Sequence, residues 1–190
     1  MPLNLPSRTI EPFNVLAFDP GGTTGWAQAI LPAHMIVTTE LVRLDDIELR
    51  TGEWGPEPHH RWVYNLIGDM YHEADDGNVP IIEVVSEPFH YRQNVVEEGQ
   101  HFRGKVELIS AEYIGVMRLA CAQLGLTYYD RFTPGEAKTY VTNKKLSLLG
   151  WLQEPQYPMR HQNDALRQLV KYLIAKKKIQ HPITSAWRVQ

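Results

Sequence analysis

An apolar run, Val15-Leu16-Ala17-Phe18, stops at a carboxylate, Asp19, turns through Pro20-Gly21-Gly22, and resumes as a second apolar run from Trp26 to Ile30. A strand that ends at a Gly-containing loop and returns is the pattern of a β-hairpin. Asp19 then lies where a buried strand meets its turn, and Gly21 and Gly22 leave room for something to approach the backbone. A carboxylate in that place is costly unless it is paired, hydrogen-bonded or metal-bound. An Asp that only organises a Pro-Gly turn is the plainer reading of this stretch taken alone.

The rest of the chain alternates strand and helix patterns. Residues 1–13 hold three prolines and no periodicity and read as a loose leader. Met35-Ile36-Val37 and Leu41-Val42 suggest a third strand within His34–Leu44, and the polar Asp45–His59 stretch reads as a loop. Trp62, Val63, Leu66, Ile67 and Met70 follow helical spacing over His60–Ala74. Ile81 to Glu87, bounded by Pro80 and Pro88, is a β-branched strand in which Glu83, Val85 and Glu87 share one face. Glu87 is at its end, and Glu83 belongs nearer its start.

Pro88 to Gly104 is too long to be mere connection. It carries Phe89, His90, Tyr91, Arg92, His101, Phe102 and Arg103, then Lys105, and aromatics interleaved with bases suit stacking and phosphate contact. An apolar stripe from Val106 to Leu124, closed by Gly125, predicts a helix over Lys105–Leu124. Thr127–Phe132 reads as a fifth strand. Thr133 and Pro134 read as the N-cap and first position of a short helix bearing Lys138. Thr142–Lys145 reads as a basic connection, with a further helical turn within Leu146–Leu152. His161 opens a last helix with Leu166, Leu169, Val170 and Leu173 as its apolar face, and places Asp164 one turn along beside it. Residues 176–190 form a tail that begins with lysines suited to the end of a helix.

A chain of 190 residues, 43% of them hydrophobic, suits one domain with a proper core. No apolar run approaches the ~18 residues that would span a bilayer. Met1–Glu11 lacks the apolar centre of a signal peptide, so the chain is expected in the cytoplasm. The single cysteine, Cys121, excludes an internal disulfide and a cysteine-rich zinc site, and its place in a helix stripe points to packing. A net charge of −3 decides nothing about nucleic acid, because a nuclease needs acid for metals as well as base for phosphates.

Phe18-Asp19-Pro20-Gly21 followed by Thr24-Gly25-Trp26-Ala27 resembles the first strand and turn of the RuvC-type Holliday junction resolvases, of the ribonuclease H-like superfamily. Ser86-Glu87, Pro134-x-x-x-Lys138 and His161-x-x-Asp164-Ala165-Leu166 resemble later motifs of that family, in order, from about Val15 to Ile174. Asp-Pro-Gly is weak alone; four motifs on matching elements are specific. The resemblance implies a single α/β nuclease domain over residues 1–190. Its sheet would be mixed and five-stranded, three antiparallel strands then two parallel, flanked by helices.

It also implies roles. Asp19 is similar to the catalytic aspartate that bridges two metals, and Glu87 to the catalytic glutamate. His161 and Asp164 resemble the C-terminal acidic motif in its His version, with His161 as ligand or general acid/base. Lys138 resembles the phosphate-contacting lysine. Phe89, His90, Tyr91, Arg92, Arg103, Lys105, Lys144 and Lys145 are the candidate DNA contacts. Three carboxylates gathered in one cleft need cations, and hard oxygen donors favour Mg²⁺ or Mn²⁺ over zinc. Two such ions per site hydrolyse a phosphodiester in line, leaving a 5′ phosphate and a 3′ hydroxyl.

Departures from the family bear on specificity. His90 stands where some members place a wedging Phe, and Asn143-Lys144-Lys145 replaces a Gly-rich, lysine-containing run. The compact Lys138–His161 spacing resembles bacteriophage versions, which would act in the host cytoplasm. The expected activity is metal-dependent cutting of Holliday junctions or other branched DNA by a homodimer. Two alternatives stay open: an actin-like or sugar-kinase-like phosphotransferase, whose phosphate loop also carries Asp-x-Gly-x-Thr, and a non-catalytic nucleic-acid-binding protein on the same fold.

Overall fold

A computed structural model of the protein describes residues 9–10, 12–31, 37–38, 47–55, 59–75, 82–88, 109–153, 161–177 and 179. Its elements run β1 (Thr9–Ile10), β2 (Phe13–Asp19), β3 (Thr24–Leu31), β4 (Val37–Thr38), β5 (Glu48–Trp54), α1 (His60–Asp75), β6 (Ile82–Ser86), α2 (Ile109–Leu124), β7 (Thr127–Tyr129), α3 (Pro134–Tyr140), α4 (Asn143–Leu148) and α5 (His161–Ala175). The main sheet has the order β5-β3-β2-β6-β7. β2, β3 and β5 pair antiparallel, while β6 and β7 join parallel to β2. The expected mixed five-stranded sheet is therefore present.

β2 lies at its centre, and its apolar run is continuous because both faces are covered. Phe13, Val15 and Ala17 face α5 in one core with Ala27, Ala29, Leu31, Val85, Leu166 and Leu169. Leu16 and Phe18 face α1 and α2 in the other, with Val63, Ile67, Val84, Tyr113 and Met117. The strand period of two thus carries Asp19 to the α5 face. Ala17 pairs with Ala27 and Val15 with Ala29. These small side chains let α5, through Ala165, Leu166 and Leu169, lie close against β2 and β3.

The third strand of this sheet is not where the apolar pattern placed it. Val37–Thr38 instead pair with Thr9–Ile10 in a separate two-stranded sheet, so Thr9–Ile10 are ordered within the supposed leader. The third strand is Glu48–Trp54, from the stretch read as a polar loop. It is an edge strand, with Glu48 and Arg50 exposed and ion-paired and Arg50 reaching Glu73. Charges of this kind protect an open edge and erase the apolar alternation that marks a central strand.

Helix ends follow their capping chemistry. Gly125, at φ 67°, ends α2, and the Leu126 N–H bonds to the Cys121 carbonyl at 2.8 Å, closing a Schellman turn. The first four residues of the helix expected from the sequence, 105–108, lie outside the described residues. Thr133 and Glu136 exchange hydrogen bonds in a capping box ahead of α3, with Pro134 at its start. Thr142 caps a further helix, Asn143–Leu148, where the sequence suggested a connection followed by a later turn. β7 stops at Tyr129, short of the expected Phe132. Glu83, near the start of β6, accepts hydrogen bonds from Tyr172 and Lys177, which ties down the end of α5.

Candidate active site

At the carboxyl end of β2 and β6 the expected acidic residues converge. Asp19 ends β2, and Glu87 follows Ser86, the residue of β6 that pairs with Phe18. Ser86 is buried; its hydroxyl donates to the Glu87 carbonyl at 3.0 Å and shares a hydrogen bond with the Tyr128 hydroxyl, fixing the point where the chain leaves the strand. α5 starts beneath them and brings His161 and Asp164 on its first turn. Lys138 arrives from α3, with its Nζ 2.9 Å from Asp164 Oδ2.

The pairs within this group are specific. His161 Nδ1 lies 2.7 Å from Asp19 Oδ2. Asp164 is held on its other oxygen by Arg167, whose guanidinium also donates to the Val141 carbonyl at 3.1 Å and to the Asn143 side chain. The Arg167 side chain is only 12% exposed, so this cation is committed to its three acceptors. Among the described residues, no hydrogen bond or ion pair reaches the Glu87 carboxylate. An open cleft of about 740 Å³, lined by Lys138, Thr142, Asn143, Asn163, Asp164 and Arg167, leads away from the group on the α3–α4 side.

Electrostatics follow from this crowding. Burial, then the charges of Asp19 and Asp164, push the Glu87 carboxyl up from 4.5 to about 7, against the pull of Lys138. Burial also raises Asp19, opposed chiefly by its hydrogen bond to His161. That same bond raises His161 above an ordinary imidazole. In this arrangement no three His, Cys, Asp or Glu side chains among the described residues are spaced to hold a metal ion. The cluster is neutralised from within instead, Asp19 by His161 and Asp164 by Lys138 and Arg167. Its three carboxylates are hard oxygen donors that suit Mg²⁺ or Mn²⁺, and the imidazole of His161 adds one borderline donor. Burial first and the neighbouring carboxylates second raise Glu87, and a divalent cation bound beside it would oppose both.

Two contributors were not expected from the sequence. Arg167 stands three residues after Asp164, and that i,i+3 opposite-charge spacing was its one visible signal. Glu53, in the misread β5, accepts the backbone N–H groups of His161 at 3.1 Å and Gln162 at 3.4 Å, and no local pattern announces it. Of the candidate DNA contacts, Lys144 is exposed on α4. Lys145 is half-buried, with Nζ donating to the Tyr140 carbonyl at 2.8 Å. Phe89, His90, Tyr91, Arg92, Arg103 and Lys105 lie outside the described residues.

No protein-family model matches this chain, and no curated protein matches it by sequence. Solved structures do match. The Thermus thermophilus RuvC structure aligns with a TM-score of 0.52 and 16% identity, over 88% of this chain and 98% of that one. T. thermophilus RuvC in complex with Holliday junction substrate aligns with a TM-score of 0.52 and 18% identity, over 87% and 96%. At such identity the likeness is one of fold: the sheet order and flanking helices are ribonuclease H-like, as in RuvC.

Proposed function

We propose that the protein is a divalent-metal-dependent endonuclease that hydrolyses phosphodiesters in Holliday junctions or other branched DNA. The observation that carries this reading is the meeting of Asp19, Glu87, His161 and Asp164 at one end of a sheet with RuvC topology. That one such RuvC structure holds a Holliday junction substrate supports branched DNA as the substrate class. No helix among the described residues is long and apolar enough to cross a membrane, which agrees with an enzyme of the cytoplasm.

In this reading Asp19, Glu87, His161 and Asp164 hold Mg²⁺ or Mn²⁺, in all two ions per site. Bound there, the ions supply activation of water and stabilisation of the leaving 3′ oxygen. The chain's own residues set up that chemistry. Asp19 fixes the His161 ring through Nδ1. Arg167, mostly buried and triply bonded, keeps Asp164 aimed. Lys138 is the cation free to move, being 55% exposed, and it transfers from Asp164 to a phosphate of the incoming strand. Glu87, its carboxyl raised to about 7 chiefly by burial, would serve as a ligand in its ionised form. Lys144 and the aromatic and basic residues from Phe89 to Lys105 contact the DNA, and a homodimer puts one site on each of two strands.

Labelled four-way, three-way, flap, fork and linear substrates, incubated with the protein and Mg²⁺ or Mn²⁺, test the reading. Cutting of the branched substrates is expected, with 5′ phosphate and 3′ hydroxyl ends. Tight binding without cutting would instead identify the non-catalytic alternative, and detectable ATP binding the phosphotransferase.

A further inference from the structure

Strand register places Asp19 opposite Gly25 and Gly25 opposite Glu53, so the three form one row across β2, β3 and β5. Residues directly opposite one another share a face, and here that face carries α5. The row meets a single residue, His161, at three points. Asp19 takes the ring nitrogen at 2.7 Å. At Gly25 a Cβ would overlap the carbonyl carbon and oxygen of His161 and the amide nitrogen of Gln162, so the glycine is what admits the helix backbone. Glu53 Oε2 accepts the N–H groups of His161 and Gln162. These are among the first backbone donors of α5, which no carbonyl of the helix itself can satisfy. A carboxylate also suits the positive end of the helix dipole.

From this geometry we propose that Glu53 is a positioning residue of the active site: it seats the first turn of α5 across Gly25 so that His161 and Asp164 face Asp19 and Glu87. It touches neither substrate nor, in this account, the metal. Its effect passes through the helix backbone, as that of an outer hydrogen-bond partner passes through a ligand. The functional part of this inference rests on the nuclease reading above; the seating itself does not.

The test separates the two. In the metal-free full-length protein, the amide protons of His161 and Gln162 are followed by hydrogen exchange and NMR in the wild type, Glu53→Ala and Glu53→Gln. Both amides should exchange at least ~10-fold faster in Glu53→Ala. They should stay near wild-type protection in Glu53→Gln, whose amide oxygen still accepts. Mn²⁺ binding to the same proteins, read by electron paramagnetic resonance without DNA, should weaken ~10–100-fold in Glu53→Ala and at most ~3-fold in Glu53→Gln. Glu53→Asp, one methylene short, replaces Glu53→Ala if the latter does not fold, with the same expectations.

Unchanged amide protection in Glu53→Ala would overturn the seating. Loss of stability with unaltered Mn²⁺ affinity would reduce Glu53 to a helix cap and overturn its positioning role. A wild type that neither binds Mn²⁺ nor cuts branched DNA would instead sink the nuclease reading, and would remove the functional role of Glu53 while the exchange data still judged the seat.

Discussion

Asp19 and Glu87 end neighbouring strands yet are neutralised differently. Asp19 shares a proton with His161, whereas Glu87 has no hydrogen-bonded cation among the described residues, and its carboxyl titrates at about 7. In an unfolded chain that group titrates at 4.5. Below 4.5 both states carry the proton and stability is unaffected; between the two values only the folded protein holds it. Stability therefore falls as pH rises from about 4.5 to 7, by at most ~3 kcal/mol, and stays low above that. Thermal melting in EDTA should show this fall between pH 5 and 8, Glu87→Gln should flatten it, and Mg²⁺ at pH 8 should reverse it. Asp19→Asn keeps the size of the side chain but removes the carboxylate charge that pairs with His161 and that, in the proposed reading, would hold metal. It should lower cutting by more than the ~100-fold that follows loss of an outer partner of a metal ligand, while junction binding without metal changes less than ~3-fold. Substantial cutting by that variant would place the chemistry elsewhere.

Glycines near the hairpin separate element-scale packing from turn chemistry. Gly25 lies under the backbone of α5, whereas a Cβ on Gly22 would meet nothing within 4 Å. Gly25→Ala should push α5 off β3, costing at least ~2 kcal/mol and most of the activity, and Gly22→Ala should be nearly neutral in both. Urea denaturation with cutting assays on the two variants decides this; equal tolerance would mean α5 is not seated as described. The same contrast explains what could be read from the sequence. β2, β6 and α5 were legible because burial on fixed faces leaves periodic apolar residues; Asp19, Glu87 and Asp164 stood out as carboxylates at element ends, whereas His161 alone reads as a helix start and is singled out by the family resemblance. β5 was not, because an edge strand carrying Glu48, Arg50 and Glu53 looks like a loop. Glu53 was lost with it, since its partners lie more than a hundred positions away. The start of α4 reads as a connection because one buried leucine, Leu146, is too little for a period.

For the whole molecule, the net charge of −3 implies that DNA binding depends on how charge is distributed. Lys138 lines the cleft beside Asp164, and Lys144 is exposed on the neighbouring helix α4, so each is placed to add one phosphate contact in the proposed reading. Lys138→Ala and Lys144→Ala should each lower the magnitude of the slope of log affinity against log salt by about one. Unchanged slopes would take these lysines out of the interface. The proposed pairing of two sites on a four-way junction requires a homodimer. Sedimentation should therefore give twice the 21.9 kDa of one chain, at least when junction DNA is bound. A one-to-one complex that still cuts both strands in a single encounter would contradict the dimer.

Whether the four converging side chains bind a divalent ion together decides the proposed function. Anomalous diffraction from crystals soaked in Mn²⁺ answers that directly. The predicted result is a peak in contact with the Asp19 carboxylate and with at least one of Glu87, His161 and Asp164, with Lys138 withdrawn from Asp164. A fully soaked crystal with no peak there, and with His161 still on Asp19 and Lys138 still on Asp164, would contradict it.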